Sequence, residues 1–141
     1  MNDATRHRGP DGTQVASLGA VTLGFNRLAI IDLSPRGMQP MTSHDGRYTI
    51  VFNGEIYNYR ELKNELAGYP FTSESDTEVI IAAYTLWGQR AFSKLNGMFA
   101  RAIYDKEKDE LVLARDPVGI KPLYYHYDHD QLTFSSEIKG I

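Results

Sequence analysis

Short hydrophobic runs separated by turn-forming residues dominate the first third of the chain. Segments 15–18 and 20–25 have the length and composition of strands and are divided by Gly19. Segment 28–31 is a third apolar run, which stops before a Ser-Pro-Arg-Gly sequence. Large aromatic and aliphatic residues then recur at every second position of segment 47–53, which predicts a strand.

Two segments in the middle of the chain predict helices. The first is expected to run from Tyr59 to Ala67, with Asn58 as its N-cap. The second is expected to run from Asp76 to Trp87, because Ser75 and Glu78 before and within it have capping-box spacing. The apolar face of this second helix is predicted to comprise Val79, Ile80, Ala83, Leu86 and Trp87.

The last third of the chain returns to strand-like patterns. Segments 98–104 and 111–114 predict two strands joined by a charged connection. Segments 123–127 and 131–134 predict a hairpin, and residues 135–137 have the composition of a helix start. The predicted order is strands first, then two helices, then hairpins. This order is typical of an α+β domain rather than of a regular βαβ repeat.

Composition narrows the classes of function. The chain has 141 residues, 42% of them hydrophobic and 23% charged, which predicts a single globular domain over residues 1–141. The formal charge of −3 leaves no basic excess for a nucleic-acid backbone. No apolar run approaches the roughly 18 residues of a membrane span, so no membrane association and a cytoplasmic location are expected.

The sequence contains no cysteine. Disulfides, thiolate metal sites and a cysteine nucleophile are therefore excluded within these residues. Histidines and aspartates crowd together only at residues 126–130, in a predicted hairpin tip where neighbouring side chains point to opposite faces. A solvated turn explains this cluster better than a metal site does, and no metal is predicted.

Asn53, Gly54 and Glu55 stand where the predicted strand ends. A glycine N–H is accessible because no side chain shields it, and an adjacent carboxamide supplies a second donor. Two donors aimed at one point stabilise the oxyanion of an acyl-transfer reaction. The competing interpretation is that Asn-Gly simply forms a turn.

Arg27 and Asp76 each have a functional and an ordinary interpretation. The guanidinium of Arg27 can hold a carboxylate through two parallel hydrogen bonds, or it can form a surface salt bridge. The carboxylate of Asp76 can accept from a substrate ammonium group, or it can favour a helix start through the helix dipole. Taken one at a time, these segments leave both alternatives open.

Seven sequence blocks, taken together and in order, resemble the glutaminase (class II glutamine amidotransferase) domain of glutamine-hydrolysing asparagine synthetases. The blocks cover nearly the whole chain, which makes their order far more specific than a single Asn-Gly-Glu. They are Arg8–Asp11, Asn26–Asp32, Gln39–Met41, Phe52–Asn58, Ser75–Glu78, Arg115–Tyr124 and Ser135–Lys139.

The resemblance implies an N-terminal-nucleophile hydrolase-like fold, an αββα sandwich of two antiparallel sheets between helix layers. It also implies hydrolysis of the side-chain amide of L-glutamine, with the ammonia passed to a synthetase domain that amidates aspartate. By position, Arg27 would hold the α-carboxylate of glutamine and Asp76 its α-ammonium group, while Asn53 and Gly54 would form the oxyanion hole. The pocket would be lined by Leu28, Ala29, Ile30, Ile31 and Glu55.

The nucleophile of the resembled family is a cysteine at the mature N-terminus, whose own α-amine serves as the base. Because no cysteine is present, the chain is expected to be a truncated and inactive piece that lacks the first strand and the synthetase domain. ATP and Mg²⁺ are implied for that synthetase domain, and no cofactor for this segment. The alternative is a non-catalytic glutamine-binding or protein-interaction module derived from the domain. Whether the chain forms a homo-oligomer is left open.

Overall fold

A computed structural model describes the whole chain, residues 1–141. The eight strands are β1 (Gly12–Leu18), β2 (Val21–Arg27), β3 (Met41–Thr42), β4 (Tyr48–Ile56), β5 (Gly97–Asp105), β6 (Glu110–Arg115), β7 (Tyr124–Asp128) and β8 (Gln131–Ser135). The two α-helices are α1 (Tyr59–Glu65) and α2 (Asp76–Trp87). Short 3-10 helices occupy Asp3–Arg8, Pro35–Gly37, Gly88–Lys94 and Ile138–Gly140. No helix is both long and apolar enough to cross a bilayer.

The strands form one central sheet and two separate hairpins. The central sheet is antiparallel with the order β3-β4-β5-β6, while β1 pairs with β2 and β7 with β8. Strands β4 and β5 are paired along nine residues each, from Tyr48 opposite Asp105 to Ile56 opposite Gly97. Strand β3 contributes only two residues, so most of the outer edge of β4 carries no neighbouring strand.

Alternation along β4 divides the core between the two faces of the central sheet. Ile50, Phe52 and Ile56 face the helices and pack in the larger hydrophobic cluster, which includes Ile80 and Ile81 of α2. On the opposite face, a smaller cluster is covered by the two hairpins. Its buried members are Leu23, Val51, Ala102 and Tyr104, with Phe25 and Phe134 packed against them.

The resulting layers are helices, central sheet and hairpins, so the predicted α+β class is confirmed. The predicted paired segments are all present, and α2 has the predicted bounds. Helix α1 ends at Glu65 rather than Ala67. The first residues form the 3-10 helix Asp3–Arg8, and the chain closes with the 3-10 helix Ile138–Gly140 instead of an α-helix start.

Two local predictions about the helices are wrong, and a third holds for position only. Asn58 occupies the predicted N-cap position of α1, but its side chain makes no capping hydrogen bond and bonds the backbone of Lys94 and Asn96 instead. Glu78 does not close a capping box with Ser75, because its carboxylate accepts from the loop residues before the helix. Leu86 is not part of a buried face, since 63% of it is exposed.

The strand end predicted at Asn53 is also wrong. Strand β4 continues through Asn53, Gly54 and Glu55 to Ile56. Gly54 lies opposite Phe99 in this ladder, and a Cβ on Gly54 would stand 2.1 Å from the carbonyl oxygen of Met98. The glycine therefore serves a close approach of two strands rather than a turn.

Candidate functional site

A cavity of about 490 Å³ opens between β2 with the loop after it, the outer part of β4, the start of α2 and strand β8. All nine residues singled out from the sequence line this cavity. They are Arg27, Leu28, Ala29, Ile30, Ile31, Asn53, Gly54, Glu55 and Asp76. The volume exceeds that of a single amino acid and falls in the range of small-molecule sites.

The uncovered edge of β4 presents a row of backbone N–H groups. Residues two apart in a strand direct their N–H groups to the same edge. The N–H of Phe52 donates to Oε1 of Gln39 at 2.6 Å, and the N–H of Ile56 donates to Oδ2 of Asp76 at 3.0 Å. Gly54 lies between them, and no loop carbonyl or side chain accepts from its N–H.

The Gly54 N–H is thus a free donor between two satisfied ones, at the wall of the cavity. Asn53 lies beside it, and its Nδ2 makes one long hydrogen bond of 3.4 Å to Oγ of Ser136. Both groups can donate to a carbonyl oxygen in the cavity. Together they have the composition of an oxyanion hole, although they lie inside a strand and not at its end.

Arg27 is the last residue of β2 and is only 7% exposed. Its Nη2 donates to the backbone carbonyl of Asp32. No carboxylate lies within 4.0 Å of its guanidinium, so it is not part of a surface salt bridge. Since a buried guanidinium needs a counter-charge or several acceptors, the cavity beside Arg27 favours an anionic ligand.

Asp76 opens α2 and is only 6% exposed. No lysine or arginine pairs with it, and its Oδ2 accepts from β4. The cap of the helix is provided by Ser75, whose Oγ accepts from the N–H of Thr77 at 3.0 Å. Burial raises the pKa of Asp76 to about 6, and the nearby charge of Glu55 adds to the effect. A ligand cation beside Asp76 would favour its ionised form.

The loop after β2 forms one rim of the cavity. Leu28 and Ile30 are exposed rather than packed in the core. The loop is anchored by the N–H of Ala29, which donates to Oδ2 of Asp11 at 2.8 Å, and by Asp32, whose carboxylate accepts from Ser34 and Glu74. An apolar rim next to a charged floor suits a ligand with a polar head and an aliphatic stem.

Sequence reasoning missed two buried residues at this site. Gln39 and Thr77 line the cavity and are hydrogen-bonded to each other. Gln39 belongs to one of the seven blocks, and Thr77 to another, but neither sequence position suggested a chemical role. Their proximity depends on how the loop before β3 folds over the open edge of β4.

The family comparison agrees with this geometry. The full chain, residues 1–141, matches the family described as the glutamine amidotransferase domain. The chain belongs to this family. The predicted amidotransferase family is confirmed.

Curated relatives of this amidotransferase domain are named as asparagine synthetases. It is 50% identical to "Asparagine synthetase [glutamine-hydrolyzing] 1" of Bacillus subtilis, which it matches over 100% of its own length and 22% of that protein. It is 44% identical to "Asparagine synthetase [glutamine-hydrolyzing] 2" of the same organism, over 100% of the chain and 19% of the relative. The chain thus spans about a fifth of these proteins, and the predicted similarity to their glutaminase part is confirmed.

Two solved structures support the fold. One is described as the glutamine phosphoribosylpyrophosphate amidotransferase from B. subtilis complexed with ADP and GMP; its TM-score is 0.80 at 22% identity, over 95% of this chain and 37% of that one. The other is described as the allosteric regulatory enzyme of purine biosynthesis, with a TM-score of 0.63 at 27% identity, over 74% of this chain and 25% of that one. The predicted N-terminal-nucleophile hydrolase-like fold is confirmed.

Proposed function

We propose that this domain binds L-glutamine in the cavity and presents its side-chain amide for hydrolysis to glutamate and ammonia. The observation that carries the proposal is a pair of opposite, uncompensated charges. Arg27 is a buried cation without a carboxylate, Asp76 is a buried anion without a cation, and both line the same cavity. The α-carboxylate and α-ammonium groups of an amino acid would supply both missing partners.

The remaining groups favour glutamine among amino acids. With its α-groups held by Arg27 and Asp76, the aliphatic stem of the ligand would run along the cavity towards β4. The amide carbonyl oxygen would accept from the Gly54 N–H and the Asn53 carboxamide. The same donors would stabilise the negative charge that develops on this oxygen when a nucleophile attacks the carbonyl carbon.

The proposal extends to the larger proteins that the chain resembles. The ammonia would be used by a synthetase domain for the ATP-dependent amidation of aspartate, in the cytoplasm. ATP and Mg²⁺ would act in that domain. The nucleophile would also come from outside these residues, which contain no cysteine.

A second candidate function is glutamine binding without hydrolysis, as a sensor or a protein-interaction module. The observation that favours it is the intact binding geometry in a chain without a thiol. The two candidates share the ligand and differ only in turnover. Binding is therefore the first property to measure.

Isothermal titration with L-glutamine and D-glutamine tests the proposal. We expect saturable binding of the L-enantiomer, weakened about tenfold or more by Arg27→Met, because a buried two-pronged contact to a carboxylate is lost. Arg90→Met is the matched control, since Arg90 is exposed and forms no salt bridge. Equal binding of both enantiomers, or no effect of Arg27→Met, would contradict the proposal.

A further inference from the structure

Gln39 is a buried carboxamide that connects two parts of the site. It lies in the loop before β3, is 5% exposed and lines the cavity. Its Oε1 accepts from the N–H of Phe52 at 2.6 Å, and its Nε2 donates to Oγ1 of Thr77 at 3.1 Å. The orientation of the amide follows from the chemistry, because a backbone N–H can only donate and must therefore face the oxygen.

Both partners of Gln39 are immediate neighbours of the ligand-binding groups. Phe52 precedes Asn53 on β4, and Thr77 follows Asp76 on α2. A second bridge runs in parallel, from Asp76 to the N–H of Ile56. The two bridges enclose the free N–H of Gly54, on a strand edge that has no neighbouring strand to hold it.

The edge of a strand without a partner lacks the hydrogen bonds of a ladder, so it opens more easily than a paired edge. Gln39 supplies, at Phe52, the acceptor that a neighbouring strand would otherwise supply. It also ties that acceptor to the first turn of α2 through Thr77. The distance between the oxyanion donors on β4 and the ammonium acceptor Asp76 on α2 is thereby fixed at two points.

We propose that Gln39 is a positioning residue for glutamine, which it never needs to touch: through Phe52 and Thr77 it holds the Gly54 N–H and Asp76 at the spacing that one ligand must span. This inference rests on the proposed function. It assigns to Gln39 a role in selecting ligands with a side-chain amide over ligands that carry only the α-groups.

The test compares L-glutamine with L-norvaline, which has the same α-groups and a side chain of similar length without the amide. Affinities are measured by NMR titration of the ¹⁵N-labelled chain, in which the Gly54 amide resonance reports on the oxyanion site. The variants are Gln39→Leu, which removes both hydrogen bonds, and Thr77→Val, which removes only the one to α2. Gln89→Leu is the control, because Gln89 is exposed.

We expect Gln39→Leu to lower the preference for glutamine over norvaline roughly tenfold, about the effect of one lost buried hydrogen bond. Thr77→Val should lower the preference less, and the double variant should be no worse than Gln39→Leu, because the two residues act through one bond. A purely structural loosening would weaken both ligands equally and leave the preference unchanged. Urea unfolding of each variant is measured alongside.

The outcomes separate this inference from the proposed function. No binding of glutamine by the unchanged chain would overturn the proposed function, and the ligand role of Gln39 with it. Binding with an unchanged preference in Gln39→Leu would overturn the role of Gln39 alone. If Gln39→Leu does not fold, the test uses Thr77→Val instead. An unchanged preference for glutamine over norvaline in Thr77→Val would then overturn the inference.

Discussion

Asp76 accepts a hydrogen bond from the backbone N–H of Ile56 at 3.0 Å, and this bond joins the first turn of α2 to the open edge of β4. The same carboxylate lines the cavity and has no positive partner. Its position is therefore fixed by the fold, while its charge is left for a ligand to compensate. Such an arrangement costs stability in the free protein and favours the complex.

The stability of the free chain should depend on pH through Asp76. Its folded-state pKa of about 6 lies above the ordinary value of 3.8. The folded chain therefore retains a proton that the unfolded chain has lost between these two values. The stabilising contribution is full below the lower pKa and is lost as the pH rises through the higher one.

Replacing the carboxylate of Asp76 by a neutral group should recover the stability that the folded chain loses when Asp76 ionises. Asp76→Asn keeps an oxygen that accepts from Ile56, and it should raise the free energy of unfolding by about 1–3 kcal/mol at pH 8 and leave it nearly unchanged at pH 4. Urea denaturation at both pH values measures this. Asp3→Asn is the control, because Asp3 is exposed and forms no salt bridge. An equal effect of Asp76→Asn at both pH values would contradict the raised pKa.

Glutamine binding should have the opposite dependence on pH. An ammonium group needs the ionised form of Asp76, so the affinity should be highest above pH 7 and should fall as the pH drops through about 6, where Asp76 takes up a proton. Titration calorimetry between pH 5 and pH 8 measures this change. In Asp76→Asn, binding should be weak at every pH. A flat profile in the unchanged chain would argue against contact between Asp76 and the ammonium group.

Gly54 should tolerate no side chain. In Gly54→Ala the new Cβ would stand 2.1 Å from the carbonyl oxygen of Met98, which is far inside van der Waals contact. The strands must separate, and we expect a loss of about 2 kcal/mol or more in the free energy of unfolding. Gly68→Ala is the matched control, since nothing lies within 4 Å of a Cβ there. Thermal unfolding of Gly54→Ala and Gly68→Ala measures the difference. Equal stability of the two variants would contradict the close approach of β4 and β5 at Gly54.

The residues singled out from the sequence line one cavity, whereas part of their local structure differs from the prediction. The alternation in β4 and the run of helical residues in α2 are strong local patterns, and both elements appear as expected. The alternating pattern stops at Asn53, and Asn-Gly by itself favours a turn, so the sequence predicts a strand end there. Pairing with β5 overrides that preference, and this long-range contact has no local sequence pattern.

The missing side-chain capping bonds of Asn58 and Glu78 have the same physical origin. Asn58 and Glu78 have the correct spacing for capping, but each finds other partners once the chain is folded. Gln39 was overlooked for a related reason. Its function depends on bringing residues 39, 52 and 77 together, and no spacing in the sequence encodes that contact.

The folded chain should be more stable with an apolar residue in place of Arg101. It is 2% exposed and lies between the rings of Phe92 and Phe99, with Nε and Nη1 lacking any hydrogen-bond partner. Burial lowers the pKa of its guanidinium to about 10. Arg101→Met should therefore raise the free energy of unfolding by about 1–2 kcal/mol, after the loss of the ring contacts is included.

Thermal unfolding of Arg101→Met, with the exposed Arg90→Met as control, tests this expectation. An increase in Tm confined to Arg101→Met is the expected result. A decrease would show that the contacts with Phe92 and Phe99 outweigh the cost of the unpaired charge. Arg101 lines the cavity, but its guanidinium packs against the rings of Phe92 and Phe99. Glutamine affinity should therefore be the same in Arg101→Met and in the exposed control Arg90→Met.

The 141-residue chain by itself should not hydrolyse glutamine at a measurable rate. Arg27 and Asp76 can hold the ligand, and Asn53 with Gly54 can stabilise an oxyanion, but these residues include no thiol to attack the amide carbon. An oxyanion hole without its nucleophile retains only a small part of the full rate enhancement. Glutamate formation from glutamine, followed by a coupled assay, is the measurement.

Joining a segment with a processed leading cysteine to this chain should restore ammonia release, because the α-amine of that cysteine can activate its own thiol. In the extended protein, a serine in place of the leading cysteine should abolish turnover while glutamine binding persists. Arg27→Met should lower kcat/KM about tenfold or more through weaker capture of the α-carboxylate. Robust turnover by the 141-residue chain alone would contradict a thiol-dependent mechanism, because another nucleophile would then have to lie within the cavity.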